Sequence, residues 1–210
     1  MARYIAITDI HGELKKLENL LSKIELREDD TFVFMGDYID RGPDSRGVVK
    51  KIVELGESYK CVYLIGSHEY ALLHSKTDDY YNYLFWNYGG PATVKSYGGS
   101  FDNILNVHGD FFRSLAFYYL TNDYLFVHAG INPDYPLEEQ DETDLVYIRG
   151  KFIYAKHKLP QKIIFGHTEF DEPYIADDKI CIDLGCGKYK DAKLCALILD
   201  NGCEEFVYSD

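Results

Sequence analysis

Tyr4-Ile5-Ala6-Ile7-Thr8-Asp9-Ile10-His11-Gly12 decides how the chain is read: an apolar run of strand type halts on an aspartate and a histidine two residues apart. The device recurs. Residues 31–35 run into Gly36-Asp37-Tyr38-Ile39-Asp40-Arg41-Gly42, and residues 62–65 into Gly66-Ser67-His68-Glu69. Two later runs, 124–127 and 163–165, stop at His128-Ala129-Gly130 and Gly166-His167-Thr168. Short runs rich in branched and aromatic residues behave as buried strands. Where such strands lie parallel, donors at their ends converge on one sheet edge, and hard divalent cations find oxygen and imidazole ligands at fixed geometry there.

Between the first two runs Leu14, Leu17, Leu20, Leu21 and Ile24 recur at helical spacing, and Val48, Val49, Ile52 and Val53 do so between the second and third. This β-α-β-α-β order predicts a parallel sheet with covering helices. Residues 180–184, 194–199 and 204–208 read as consecutive strands with an Asn201-Gly202 turn before the last, which predicts an antiparallel part of a second sheet. Residues 75–99 break the pattern, with Tyr80, Tyr81, Tyr83, Phe85, Trp86 and Tyr88 ahead of Gly89-Gly90-Pro91. They are expected to form a cap-like insertion over the site, the aromatics either packing it onto the body or touching substrate. Residues 101–115 read as a helix, and the acidic stretch 134–144 as a solvated loop.

With 210 residues, 46% of them hydrophobic, one domain spanning 1–210 is the expectation. A formal charge of −13 argues against a nucleic-acid partner, whose binding rests on Lys and Arg neutralising phosphates. No apolar stretch approaches the ~20 residues of a membrane span, and the start shows no secretory pattern, so no membrane partner and a cytoplasmic location are expected. Cys61, Cys181, Cys186, Cys195 and Cys203 are odd in number and lack a Cys-x-x-Cys pair, which predicts reduced thiols, mostly buried.

The five blocks in this order are joined by Ser96-Tyr97 after a Gly-Gly pair, Ile148-Arg149 between the late histidines, and Ile182-Asp183-Leu184-Gly185 after the last. Together they resemble the phosphoprotein phosphatase family of calcineurin-like metallophosphoesterases, in its small bacterial serine/threonine protein phosphatase branch. The resemblance implies an α/β fold, an αββα sandwich of two mixed sheets flanked by helices. It implies that Asp9 and His11 hold a first divalent cation, that Asp37 bridges two, and that Ser67, His128 and His167 hold the second. Arg41 and Arg149 match the family's phosphate-holding arginines, and His68 its general acid, oriented by Asp40. The nitrogen and oxygen donors accept Mn, Fe or Zn, and the bacterial branch favours Mn. Glu69 reads as structural, and His74, His108 and His157 as surface residues.

Ser67 departs from the pattern, because the family carries Asn there. A hydroxyl is a shorter and poorer donor to a hard cation than an amide oxygen, so weaker binding of the second metal is expected. The leading expectation is hydrolysis of phosphoserine and phosphothreonine in proteins, by a hydroxide bridging the metals. Two alternatives stay open. One is hydrolysis of dinucleoside polyphosphates such as diadenosine tetraphosphate, since a related branch uses the same blocks; the other is a low-turnover phosphate-binding module, motivated by Ser67. The partner in either enzymatic case is a phosphorylated protein or a small phosphoester.

Overall fold

In the computed structural model, which describes residues 3–210, the first apolar run forms β1 (Tyr4–Ile7). α1 (Leu14–Ser22), β2 (Thr31–Phe34), α2 (Ser45–Leu55) and β3 (Lys60–Tyr63) follow. β1 pairs parallel with β2, Ile5 opposite Phe32, and β2 pairs parallel with β3, Phe32 opposite Cys61, as the order predicts. β3 begins two residues before its apolar run. Leu64, just past it, makes an isolated parallel bridge to Ala116.

Four helices come next: α3 (Ser67–His74), α4 (Asp79–Asn87), α5 (Gly90–Ser96) and α6 (Phe101–Arg113). α6 fills the segment expected to be helical and is kinked at His108, whose Nδ1 accepts from the Tyr97 hydroxyl at 2.7 Å. β4 (Tyr118–Leu120) and β5 (Tyr124–Val127) then open a second sheet. The stretch expected to be a loop, 134–144, holds a 3₁₀ turn at Leu137–Glu139 and the start of α7 (Glu142–Tyr147). Asp141 caps that helix by accepting from the Thr143 N–H at 2.8 Å, and buried Leu137 and Leu145 tie the segment down, which its acidity concealed. α8 (Gly150–Ile153), β6 (Lys162–Phe165), β7 (Tyr174–Ile175) and β8 (Lys179–Cys181) follow. β9 (Cys195–Asp200) and β10 (Cys203–Tyr208) end the chain's regular structure. His157, expected on the surface, has a side chain only 2% exposed, with Nε2 3.0 Å from the Asp178 carbonyl.

The sheets are β10-β9-β1-β2-β3 and β4-β5-β6-β8-β7. Here the expectation fails in one respect: β9 and β10 form the antiparallel hairpin foreseen, with Asn201 and Gly202 at φ 49° and 81°, but they extend the first sheet. β9 lies along the free edge of β1, Ile5 opposite Ile198, while β8 pairs parallel with β6 in the second sheet. A strand with both faces apolar fits beside any open edge, and β1 had unpaired backbone groups to satisfy.

Alternation along the strands builds the layers. Ala6, Val33, Phe126, Ile164 and Leu197 meet in a core between the two sheets. Ile5, Ile7, Phe32 and Phe34 point the other way, onto Leu17, Leu20, Val48 and Ile52 of α1 and α2. Leu125, Val127, Ile163 and Phe165 face Leu145 and Phe152 of α7 and α8. The result is the αββα sandwich. Among the described residues no helix is long and apolar enough to cross a membrane, and all five cysteines are free, three of them buried.

Candidate active site

At the carboxyl ends of β1, β2 and β6 the backbone leaves the strand conformation abruptly. Asp9 (φ 50°), His11 (48°), Asp37 (53°), Asp40 (73°), Arg41 (66°) and His167 (65°) all adopt the left-handed region. Among the described non-glycine residues only Asn201, in its hairpin turn, joins them. Each such residue costs roughly 1–2 kcal/mol, so a concentration at one sheet edge means that the surroundings hold these side chains against their backbone preference.

Asp37 stands at the centre. Its Oδ2 lies 3.6 Å from His11 Nε2 and its Oδ1 3.5 Å from His128 Nε2, so the two oxygens of one carboxylate face two different histidines. Each histidine is held in a fixed tautomer: His11 Nδ1 donates to the Ile39 carbonyl at 2.9 Å, His128 Nδ1 to the Met35 carbonyl at 2.8 Å. Their Nε2 atoms are therefore turned toward the carboxylates. His167 Nδ1 sits 3.2 Å from His128 Nε2. Asp9 Oδ1 lies 3.8 Å from His11 Nε2, while its Oδ2 accepts from Thr8 Oγ1 at 2.7 Å and from the His167 N–H at 3.1 Å. Two sets of ligand atoms draw within 4.8 Å of one another, His11/Asp37/His68 and Asp37/His128/His167, and Asp37 belongs to both.

Imidazole nitrogens and carboxylates packed this closely out of water need protons or metal cations among them to offset their charge. The donor set of carboxylate and imidazole, with no thiolate, fits a pair of divalent transition metals. The electrostatics agree with such crowding. Burial raises the Asp37 carboxyl, but His128, His68 and His11 outweigh it and hold Asp37 well below the usual range. Burial raises Asp9, with Asp37 adding to it against the pull of His128. Buried Asp183, behind Asp9, is pushed well above its ordinary value by burial and then by Asp9. Burial pulls His11 and His167 well below 6.5, and the neighbouring imidazoles His68 and His128 add to it. His128 is opposed by burial yet rises to about 9, because Asp37 and Asp9 flank it.

α3 delivers the next group. Its first residue, Ser67, places Oγ 3.2 Å and 3.4 Å from the two Asp37 oxygens. The His68 N–H donates to Asp37 Oδ1 at 2.9 Å. Glu69 is structural in a specific way: its carboxylate accepts from the N–H groups of Asp37, Tyr38, Ile39 and Gly66 at 2.8–3.2 Å, clamping the loop after β2 to the start of α3. The His68 ring donates through Nδ1 to Asp40 Oδ2 at 2.6 Å, and its Nε2 meets Arg41 Nη2 at 3.2 Å. Burial lowers the His68 imidazolium, but Asp37 and Asp40 outweigh it and the net shift is upward. Arg149, half-exposed, stands 3.8 Å from Glu169.

A pocket of about 400 Å³ opens over these groups, lined on its polar side by Asp9, Asp37, Arg41, His68, Arg149 and His167. The lining also has an aromatic and apolar part, with Tyr80, Leu84, Phe85 and Tyr88 from residues 75–99 and Tyr147 from α7. His11 and His128 lie deeper, 2% and 0% exposed. Three participants escaped the sequence reading. Tyr147 donates to the Ser67 carbonyl at 3.0 Å, with its ring 6.0 Å from that of His167; its position two residues before Arg149 was the available signal. Thr93 of α5, between the Gly-Gly pair and Ser96-Tyr97, donates to Asp40 Oδ1 at 2.5 Å. Glu169 follows His167 by two residues and pairs with Lys188 at 2.6 Å.

The family model described as calcineurin-like phosphoesterase matches residues 2–202. A bis(5'-nucleosyl)-tetraphosphatase (asymmetrical) of Oceanobacillus iheyensis is 30% identical over 210 residues, covering 86% of this chain and 82% of that protein. One of Bacillus anthracis is 26% identical over 217 residues, covering 87% and 85%. Among solved structures, a protein proposed to be a diadenosine tetraphosphatase superposes with a TM-score of 0.74 at 22% identity, covering 100% of this chain and 94% of that one. A serine/threonine phosphatase of Saccharomyces cerevisiae gives 0.67 at 18%, covering 100% and 80%. The expectation of a phosphoserine or phosphothreonine substrate is corrected by these findings: likeness to a protein phosphatase is one of fold, whereas these two relatives, similar in sequence along most of the chain, are named as dinucleoside tetraphosphatases.

Proposed function

Because the chain belongs to the calcineurin-like phosphoesterase family and is a metal-dependent hydrolase of phosphate esters or anhydrides, we propose that its substrate is a dinucleoside polyphosphate, cut asymmetrically. The observation that carries this reading is the relative 30% identical over 86% of the chain. The wall of the pocket supports it, since a phosphate chain alone needs no aromatic surface.

Asp9, His11 and Asp37 would hold one divalent cation, and Asp37, His128 and His167, with Ser67 beside them, a second. Manganese suits the nitrogen and oxygen donors. When bound, the pair supplies a nucleophilic water near neutral pH and offsets charge on the reacting phosphate. The chain's own residues do the rest. Arg41 and Arg149, both lining the pocket, offer planar guanidinium groups to phosphate oxygens. Arg41 at rest occupies His68 Nε2, so a phosphate that draws the guanidinium away frees that nitrogen to carry a proton. Asp40 keeps the ring oriented and favours its imidazolium form. The oxygen of a water that has already lost a proton to solvent bonds to phosphorus as a P–O–P link breaks; the departing oxygen keeps the bonding pair, and the His68 imidazolium donates its Nε2 proton to it. The reading takes the enzyme to act in the cytoplasm, where free thiols persist.

Metal-loaded protein incubated with diadenosine tetraphosphate should release AMP and ATP in equal amounts, as resolved by anion-exchange chromatography. Two molecules of ADP, or faster hydrolysis of a phosphoserine peptide, would overturn the proposal.

A further inference from the structure

The aromatics of residues 75–99 divide into two sets. Phe85 is 1% exposed, and the Tyr81 ring packs on Tyr70 at 5.3 Å and on Tyr147 at 6.4 Å, so these fasten the helix to the body. Tyr80 and Tyr88 do not: they are 62% and 53% exposed. They nonetheless face inward: Tyr80 and Leu84 lie one turn apart on α4, Tyr88 is the residue just past its C-terminus, and all three line the pocket of the metal-type ligands and the arginines.

The two ends of this face reach different parts of the site. Tyr88 adjoins Gly89, whose carbonyl accepts from the Arg41 N–H at 3.3 Å. Tyr80 lies at the end of a ladder of rings that runs from His167 to Tyr147 at 6.0 Å, to Tyr81 at 6.4 Å and to Tyr80 at 5.3 Å. At about 1.5 Å of rise per residue, α4 and its cap residue set the two tyrosines roughly 12 Å apart along the element. The phosphate-holding groups thus have a free aromatic ring near Arg41 and another beyond His167, joined by the apolar side chain of Leu84.

We propose that this face of α4 is a nucleobase subsite, on which the tyrosine rings of Tyr80 and Tyr88 stack against the purine bases of a substrate whose phosphate chain lies across the arginines. The inference rests on the dinucleoside polyphosphate reading and adds the residues that enforce it. Stacking suits the occupant because it tolerates any base and needs only an exposed ring beside an anion site. A serine phosphoester would leave both rings in water.

The test is a ratio, kcat/KM for diadenosine tetraphosphate over kcat/KM for inorganic tetraphosphate, which shares the anhydride and lacks the bases. In the variant Tyr80→Ala/Tyr88→Ala the ratio should fall by about tenfold or more, given the usual loss of at least about fivefold per stacked base. Tyr80→Phe/Tyr88→Phe should keep it within about twofold, since the ring remains. If wild type shows no preference for diadenosine tetraphosphate, the dinucleoside reading fails before the tyrosines are asked. If wild type shows the preference and the alanine variant retains it, or the phenylalanine variant loses as much as the alanine variant, the α4 subsite is overturned and the substrate reading stands.

Discussion

At the scale of single residues, the site is a set of side chains whose partners decide what they can do. Thr93 shows how a hydroxyl outside the metal cluster reaches the chemistry. Its Oγ1 donates to Asp40 Oδ1, accepts from the Asp40 N–H at 2.8 Å, and lies 2.9 Å from Ser45 Oγ, while the other Asp40 oxygen holds His68. Thr93→Val keeps the shape and removes the hydroxyl, leaving Asp40 freer to turn. A loss of roughly 1.4 kcal/mol, about tenfold, is expected on a phosphate ester with a poor leaving group such as an alkyl phosphate. An activated aryl phosphate, which departs without a proton, should lose far less, and Thr93→Ser should restore both. Equal losses on the two esters would show that Thr93 holds the fold and does not position the acid. Ser67 makes the opposite case, a hydroxyl in contact with Asp37 where the sequence pattern of the family has a longer amide. Ser67→Asn is expected to lower the half-saturating Mn concentration about tenfold, equal to ~1.4 kcal/mol of metal binding. A titration of rate against Mn decides it, and coincident curves for the two proteins would remove Ser67 from the metal site.

Elements matter here through their ends. β2 and the β3-to-α3 connection cross at Gly36 and Gly66, so closely that a Cβ on Gly36 would meet the Gly66 Cα at 2.5 Å. Gly36 also has φ 92°, a conformation that a side chain strains. That crossing sets Asp37 against the first turn of α3, where it receives the His68 N–H. Gly36→Ala should therefore cost about 2 kcal/mol or more from overpacking and backbone strain together, a fall of roughly 4–8 °C in Tm for a chain of this size. Metal content should drop with it, because the loop carrying Asp37 moves away from His11 and His128. Calorimetry and elemental analysis of the same preparation measure both, and an unchanged metal content would detach the crossing from the site. The periodicity that made these elements legible, Ile5 and Ile7 against Ala6, Phe32 and Phe34 against Val33, also explains why their order was read correctly. It was silent on the partner of β9, since an all-apolar strand carries no mark of the neighbour it will take.

For the whole molecule, the sandwich concentrates Asp9, Asp37, Asp183 and four imidazoles at one buried edge, an arrangement that costs folding energy until cations enter. Chelation should abolish hydrolysis, and Mn should restore it together with thermal stability. At a hundredfold excess over its dissociation constant a ligand bound only by the folded state adds ~2.7 kcal/mol, or roughly 5–11 °C in Tm here. A melting temperature indifferent to Mn would mean that the cluster binds no cation. The sequence by itself determined the blocks Asp9-x-His11, Asp37, Ser67-His68, His128 and His167, and that each follows an apolar run of strand type, because such runs are local in the chain. It also determined which atoms are available to a metal, because ligand chemistry belongs to the side chain. Only the tertiary structure decided that Asp37 turns its two oxygens to two histidines, that Thr93 and Tyr147 stand behind Asp40 and Ser67, and that Tyr80 and Tyr88 look into the pocket. Those facts depend on contacts between residues far apart in the chain, and a distance that folding creates has no counterpart in local spacing.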